Sequence, residues 1–442
     1  MTETARRKVL IITYYWPPSG GSGVQRWLKL VKYLRNYNWE PIVYTPLNPE
    51  YPEIDSTFIK DIPQGIKIIR QPIWEPYSYY KKLVGLKKED KIGAGFLTEN
   101  KKIGFAEKLS VWLRGNLFIP DARKFWIKPS IKYLTEYLAR EPVDAIISTG
   151  PPHSMHLIAL GVKTNTGIPW LADFCDPWTS IDFYNQLRLT KLADKKHHFL
   201  EKQVLQNADA ITPVTQTMSE EFNTLFPRKY EVVTNGFDET DITPLLPEML
   251  DRKFSLAHVG SLVPSRNPRI LWETLALMVD EDSKFASDLE IKLVGKVDLS
   301  VLQSINELGL SAYLRKINYL PHDEALVEAM RSQVLLLLIN RTPNAKGILT
   351  GKLFEYLAVQ RPILCLGPVD GDASFILEET QSGKICDYED KETLKKYIND
   401  YYKQFINKQL STSNIGLYKF SWRHLAGEIV QILNSLTFQK KS

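Results

Sequence analysis

Several stretches of the chain set glycines, cations or carboxylates just after short apolar runs, where a strand would hand over to a helix. The first is Pro17-Pro18-Ser19-Gly20-Gly21-Ser22-Gly23. Its glycines permit positive φ and close backbone approach, and the helix that follows offers unpaired N–H groups to an anion. A plain tight turn fits the same residues. A dinucleotide site here would need a short strand-to-helix turn and a carboxylate closing the second strand. That strand instead ends Val43-Tyr44-Thr45-Pro46 with no acid, so hydride transfer loses most of its support.

A second stretch, Ser148-Thr149-Gly150-Pro151-Pro152-His153, makes a rigid loop from which His153 projects. A histidine there either meets a hydroxyl or moves a proton, or simply packs. His156, one helical turn on, reads as structural. The third, Asp173-Phe174-Cys175-Asp176-Pro177-Trp178, joins two carboxylates at i and i+3 to a tryptophan. Carboxylates accept sugar hydroxyls and aromatic rings stack on sugar faces. An Asp cap with Trp178 in the core is the plainer alternative, and of the two acids Asp176 is placed first.

In the fourth stretch a strand runs into Gly260-Ser261, and Arg266 follows ahead of Pro268. A guanidinium at that point is suited to a phosphate. The fifth, Thr350-Gly351-Lys352-Leu353-Phe354-Glu355-Tyr356, puts a lysine in the first turn of a helix, where it opposes the helix dipole. That arrangement makes sense if an anion sits there, with Glu355 reaching a ribose diol. An ordinary Lys–Glu pair on a surface helix is the competing explanation.

Composition narrows the field. Across 442 residues, 56 Lys+Arg against 51 Asp+Glu leave a net charge of +5, too diffuse for a nucleic-acid binder. The 44% hydrophobic and 24% charged residues are those of a globular chain. Three cysteines without CxxC spacing argue against a disulfide framework or structural zinc and for a reducing compartment. No HxxxH or HExxH pattern occurs, so no metal is expected. The basic N-terminus precedes only a short apolar run, which reads as a strand and not a signal peptide. No stretch approaches the ~20 apolar residues that span a bilayer, so a cytoplasmic protein, at most peripheral at the inner face of the membrane, is expected.

These motifs need elements to hold them. Apolar runs at 9–15, 42–45, 145–148, 170–173 and 210–214 alternate with helical patterns, as in a parallel sheet built from βαβ crossovers. The period is lost between about 46 and 129, which reads as a large insertion. A second series has strands at 255–259, 289–294, 314–319, 334–339 and 362–366, with helical patterns at 267–280, 322–331, 350–359 and 390–405. The expectation is an α/β chain of two doubly wound, Rossmann-like domains facing across a cleft. Residues 1–238 form the first domain and 239–415 the second, and a helix within 416–442 crosses back to the first. Basic and aromatic residues cluster at Trp74, Tyr77, Tyr79, Tyr80, Lys81 and Lys82 and again over 112–126, including Arg114, Arg123, Lys124, Phe118, Phe125 and Trp126. Such mixtures suit an anionic membrane interface, or equally a positive surface on a folded subdomain.

The five stretches, in this order, resemble the retaining glycosyltransferases of family 4, which have the GT-B fold, and most closely those of bacterial cell-surface polysaccharide and lipopolysaccharide synthesis. The resemblance covers nearly the whole chain. It rests on the Gly-Gly loop, the Pro-Pro loop, the Asp-x-x-Asp-x-Trp segment, Asn235-Gly236-Phe237-Asp238 and the Lys352-x-x-Glu355-Tyr356-x-Ala358 helix. It implies a nucleoside diphosphate sugar as donor, a glycan or lipid-linked acceptor, no metal or other cofactor, and a leaving phosphate that takes the acceptor proton. By the same resemblance Gly21, Ser22 and Gly23 lie near the donor phosphates, Arg266 neutralises the diphosphate, Lys352 is the helix-start lysine and Glu355 binds the ribose. Gly260, Ser261, Thr350 and Gly351 complete the donor side, while His153 and Asp176 orient the sugar or the acceptor.

The departures from the pattern are Gly347 for the first motif glutamate, Ser261 for an arginine, and Cys175 for an arginine. They leave room for an unusual donor, for Arg341 or Lys346 as a substitute charge, or for a weakened, merely binding protein. A nucleotide-sugar epimerase on the same fold is the other alternative.

Overall fold

The computed structural model describes residues 6–76, 111–113, 115–242, 249–413 and 415–439. The positions 77, 79, 80, 81, 82 and 114 named above lie outside them. The chain forms two compact units, one comprising Met1–Thr234 with Trp422–Ser442 and the other Asn235–Ser421.

The first unit is built on a six-stranded sheet of β1 (Arg7–Ile12), β2 (Trp39–Pro46), β3 (Lys67–Gln71), β4 (Ala145–Gly150), β5 (Trp170–Phe174) and β6 (Ala210–Pro213). The order is β3-β2-β1-β4-β5-β6, and neighbouring strands pair in parallel. Alternation along β1 decides its faces. Leu10 and Ile12 join a core with the helices Lys124–Arg140 and Ser154–Thr166, while Val9 and Ile11 join another with the helices Ser22–Leu34 and Trp422–Gln439. Parallel strands covered on both faces are mainly apolar, as are Val9–Ile12, Ala145–Ile147 and Trp170–Ala172.

The second unit repeats the plan with β7 (Phe254–Val259), β8 (Leu289–Val294), β9 (Leu314–Ile317), β10 (Val334–Leu338), β11 (Ile363–Leu366) and β12 (Gly383–Cys386), in the order β12-β11-β10-β7-β8-β9. In each sheet the strand order reverses once, beside β1 in the first and between β7 and β10 in the second. Sheets of this kind bind ligands beyond the strands' carboxyl ends at such reversals.

Two strands escaped the sequence pattern. β3 lies inside the region read as an insertion, and β12 follows a stretch given no strand. Both are edge strands: β3 buries only Ile69 and β12 only Cys386, so neither shows an apolar run. The unit boundary also falls at 234/235, short of 238. Phe237 N–H donates to Phe420 O at 2.9 Å and Phe237 bridges Ser421, which ties both ends of the second unit together. The return begins at Trp422 and not 416, because Leu417 and Phe420 are buried in the second unit's core.

Asp173, at the end of β5, anchors the first unit. Its carboxylate is fully buried and accepts from Arg26 Nη2 at 2.8 Å, Trp27 Nε1 at 2.7 Å and Thr212 Oγ1 at 2.8 Å. Arg26 also donates to the carbonyls of Val233 (2.9 Å) and Thr234 (2.7 Å). Burial alone would raise the Asp173 pKa, but Arg26 and these donors hold it below the usual value. Among the described residues no helix is long and apolar enough to cross a membrane.

Removing one member of a buried pair strands the other charge. Arg26→Met is therefore expected to destabilise the first unit by about 3–5 kcal/mol, read as a lower urea midpoint. An unchanged midpoint would show that the pair holds nothing.

Candidate functional site

The two units each gather candidate residues at the carboxyl ends of their strands. In the second unit, β7 ends at Val259, whose N–H donates to the Tyr356 hydroxyl at 3.0 Å. Tyr356 belongs to the helix Gly351–Val359, so this bond ties that helix to the strand end. Gly260 follows at φ 121°, a conformation that glycine adopts without penalty. Its amide donates to Val294 O (2.7 Å), and the loops after β7 and β8 are further tied by Leu262 N–H to Lys296 O (2.8 Å).

Lys352 lies over this turn. A Cβ on Gly260 would overlap its ammonium and come within 2.5 Å of its Cε. Burial lowers the Lys352 pKa; Glu355 opposes the fall and Arg266 adds to it. Burial likewise raises the Glu355 pKa, against the pull of His322 and Lys352. Both side chains keep partial contact with solvent, which tempers these shifts. Arg266 sits in the short turn Pro264–Arg266, where its Nε donates to Asn340 Oδ1.

The helix Gly351–Val359 begins without a side-chain cap and without an acid in its first turn, and the Thr350 hydroxyl oxygen is buried without a partner. Amides without a side-chain cap, an ammonium and a neighbouring guanidinium are groups whose charge suits an anion. Gly260, Ser261, Arg266, Thr350, Gly351, Lys352 and Glu355 thus come together within one unit. Arg341 and Lys346, the substitute charges, are instead exposed in ion pairs with Glu389 (2.7 Å) and Asp370 (2.5 Å). Asn340 carried no signal of its own in the sequence, and Tyr356 stood in the Lys352–Ala358 motif without a role assigned to it.

In the first unit Gly21 caps the helix Ser22–Leu34 at φ 84°, again with no side-chain cap and no acid in the first turn. Gly20 N–H donates to Glu53 O (2.9 Å) and Asp55 N–H to Pro18 O (2.9 Å), which holds the loop against residues 53–55. A Cβ on Gly23 would press on the Tyr15 ring at 3.0 Å. His153 opens the helix Ser154–Thr166 but is buried, and its ring stacks flat on Trp178 at 4.5 Å and 2°. Its Nδ1 is buried without a partner. Its packing role is thus plain. Asp173 is taken up by Arg26, which leaves Asp176, exposed on the loop after β5, as the available acid. Surrounding protein, with Asp182 adding its charge, pushes the Asp176 carboxyl up towards about 7, and the solvent it meets works against that rise.

His156 lies under the same loop. Its Nδ1 shares a hydrogen with Ser148 Oγ at 2.8 Å, and Ser148 Oγ accepts from Trp170 Nε1 at 2.8 Å. Burial lowers the pKa of His156 to about 3 and, with Lys352 and Arg266 adding to the fall, that of His258 to about 4. Among the described residues no group of His, Cys, Asp and Glu is arranged to hold a metal.

No protein-family model matches this chain, and no curated protein matches it in sequence. Its structure is similar to the Anabaena protein HepE in complex with UDP-glucose, at a TM-score of 0.57 and 14% identity over 97% of this chain and 100% of that one. A lipopolysaccharide outer core galactosyltransferase, WaaB, is similar at a TM-score of 0.55 and 13% identity, over 98% and 99%. A UDP-N-acetylglucosamine 2-epimerase from Listeria monocytogenes is similar at 0.54 and 12%, over 99% and 98%. The chain therefore has the two-domain GT-B fold.

Both buried histidines are neutral in the folded protein but take a proton near 6.5 once unfolded. The stability each confers is full above pH 6.5 and drains away as the pH falls towards its own lowered value, by about 1.4 kcal/mol per pH unit. NMR titration is expected to find both imidazoles neutral down to pH 5. A signal that protonates near pH 6.5 would contradict their burial.

Proposed function

We propose that this protein is a glycosyltransferase that moves a sugar from a nucleoside diphosphate sugar to a hydroxyl of a glycan or glycolipid, with retention of configuration. The observation that carries this reading is the Lys352 ammonium lying on the Gly260 turn, beside Arg266 and an uncapped helix N-terminus. As the glycosidic bond to the diphosphate breaks, negative charge grows on the leaving phosphate. Arg266, Lys352 and the amides at Thr350 and Gly351 stabilise that charge, and preorganised electrostatics of this kind is commonly the largest catalytic contribution. Glu355 binds the ribose. Within the first unit, the Gly21–Gly23 turn at a helix start without an acid suits an anion, and the exposed Asp176 suits a sugar hydroxyl. The leaving phosphate takes the acceptor proton, so neither a metal nor a second carboxylate is called on. Solved structures of the same fold that hold UDP-glucose or carry a galactosyltransferase's name support this choice.

A panel of UDP-, GDP- and ADP-sugars, assayed for free nucleoside diphosphate with and without acceptor, tests the proposal. Release that depends on acceptor supports transfer. A sugar altered without acceptor favours the epimerase, and saturable binding without turnover favours a binding protein. Glu355→Ala is expected to weaken nucleotide binding by about tenfold, on the order of a lost hydrogen bond to a charged group, while the fold stays intact. Unchanged affinity removes Glu355 from the site.

We also propose that the first unit meets an anionic membrane, where a lipid-linked acceptor would be presented. Trp74 and Phe125 are exposed and in edge contact at 4.7 Å, with the Lys124 ammonium 5.2 Å from the Phe125 ring. Aromatic rings backed by cations suit such an interface. Phe125→Glu should reduce sedimentation with phosphatidylglycerol vesicles. Equal binding by the variant, or none by the unaltered protein, would refute this contact.

A further inference from the structure

We infer that the outward face of the helix Lys191–Asn207 is a second foot of the first unit on an anionic bilayer, an inference that rests on the reading of this unit as one that meets such a membrane. Leu192 and Phe199 enter the interface, and Lys195 and Lys196 reach the lipid phosphates. The two sides of this helix differ. Inward, Ala193, His197, Glu201, Val204 and Leu205 are buried. Trp178 Nε1 donates to His197 Nδ1 at 3.1 Å, and the Glu201 carboxylate accepts from the Thr179 hydroxyl at 2.5 Å. These bonds pin the helix to the loop after β5.

Outward, Leu192 and Phe199 stand about two helical turns apart and so share one stripe. They are 83% and 52% exposed. Lys195 and Lys196 lie between them, with Lys191 and Lys202 at the ends, and all four are exposed. The Lys196 ammonium is 5.1 Å from the Phe199 ring. Asp194, the acid in the first turn, accepts from the Tyr184 hydroxyl at 3.0 Å. An anionic interface takes apolar side chains below the headgroups while lysine stems carry their charge up to the phosphates. A soluble polyanion would satisfy the lysines and leave Leu192 and Phe199 in water, so lipid is the partner that fits both.

This face is continuous with the contact at Phe125. Thr190, which caps the helix, donates its amide to Asn116 Oδ1 at 2.6 Å. The neighbouring Leu117 is exposed, and its carbonyl accepts from the Lys124 ammonium at 2.6 Å. The helices Lys124–Arg140 and Lys191–Asn207 each run back to the start of a parallel strand, β4 and β6, so both begin at the edge where the strands end. Two feet there turn that edge towards the bilayer.

Sedimentation with vesicles of phosphatidylglycerol and of phosphatidylcholine tests this. At low salt the unaltered protein should bind the first and not the second; if it binds neither, the membrane reading of the unit fails and this inference with it. Lys195→Ala combined with Lys196→Ala should weaken binding to phosphatidylglycerol by about fivefold per lysine. Leu192→Ser and Phe199→Ser change no charge and alter only exposed side chains. Each should weaken binding by about tenfold with the melting temperature unchanged, the order expected for an apolar side chain that no longer leaves water. The inference alone is overturned if Phe125→Glu weakens binding while Leu192→Ser and Phe199→Ser keep it within twofold. It is equally overturned if only the lysine variant loses binding, the result that a soluble polyanion site predicts, or if the unaltered protein binds phosphatidylcholine as tightly.

Discussion

A partly desolvated ammonium, laid on a bare stretch of backbone with a guanidinium for neighbour, is the constraint around which the second unit is arranged. Taking Lys352 out of water and bringing Arg266 near it both disfavour its charge, and Glu355 offsets only part of this. A folded chain keeps such an arrangement when the rest of the structure over-determines it. Here the Tyr356 hydroxyl fixes the helix to the end of β7, and the absence of a side chain at 260 gives the lysine its seat. These cations gather where β7 ends, the edge at which sheets of this kind bind ligands.

The first unit solves a different problem with opposite charges. Asp173 sits where a sugar-facing carboxylate was a fair expectation, yet it is buried and accepts from Arg26, Trp27 and Thr212. Its role is to hold the helix Ser22–Leu34 to the sheet and, through Arg26, to grip the segment at Val233 and Thr234. Three residues on, Asp176 is exposed. Two acids of one short motif thus lie at different depths, and only Asp173 is locked in a buried ion pair.

Much of this could be read from residue order. Central strands such as β1 and β10 are buried on both faces and must be apolar, so they announce themselves, and the helices between them follow from their spacing. Edge strands carry no such obligation, which is why β3 and β12 were silent. Glycine and cation positions at strand ends singled out Gly260, Arg266 and Lys352, which the fold sets near one another, because the pattern there is one of residue type. The burial of His153 against Trp178 and the grip of Asn340 on Arg266 were not legible, since each depends on a partner distant in sequence. Arg26 was hidden for the same reason: nothing local to an amphipathic helix says that one of its cations will turn inward to meet residue 173.

The return of the last helix has a practical consequence. Topologically the second unit is inserted into the first, with its two ends bonded side by side at Phe237 and Phe420. A chain cut after Thr234 would lose Trp422, Leu425, Ile429 and Leu433, and Trp27, Leu30 and Leu34 of the same core would be left facing water. Residues 235–421, by contrast, form a contiguous piece that carries cores of its own.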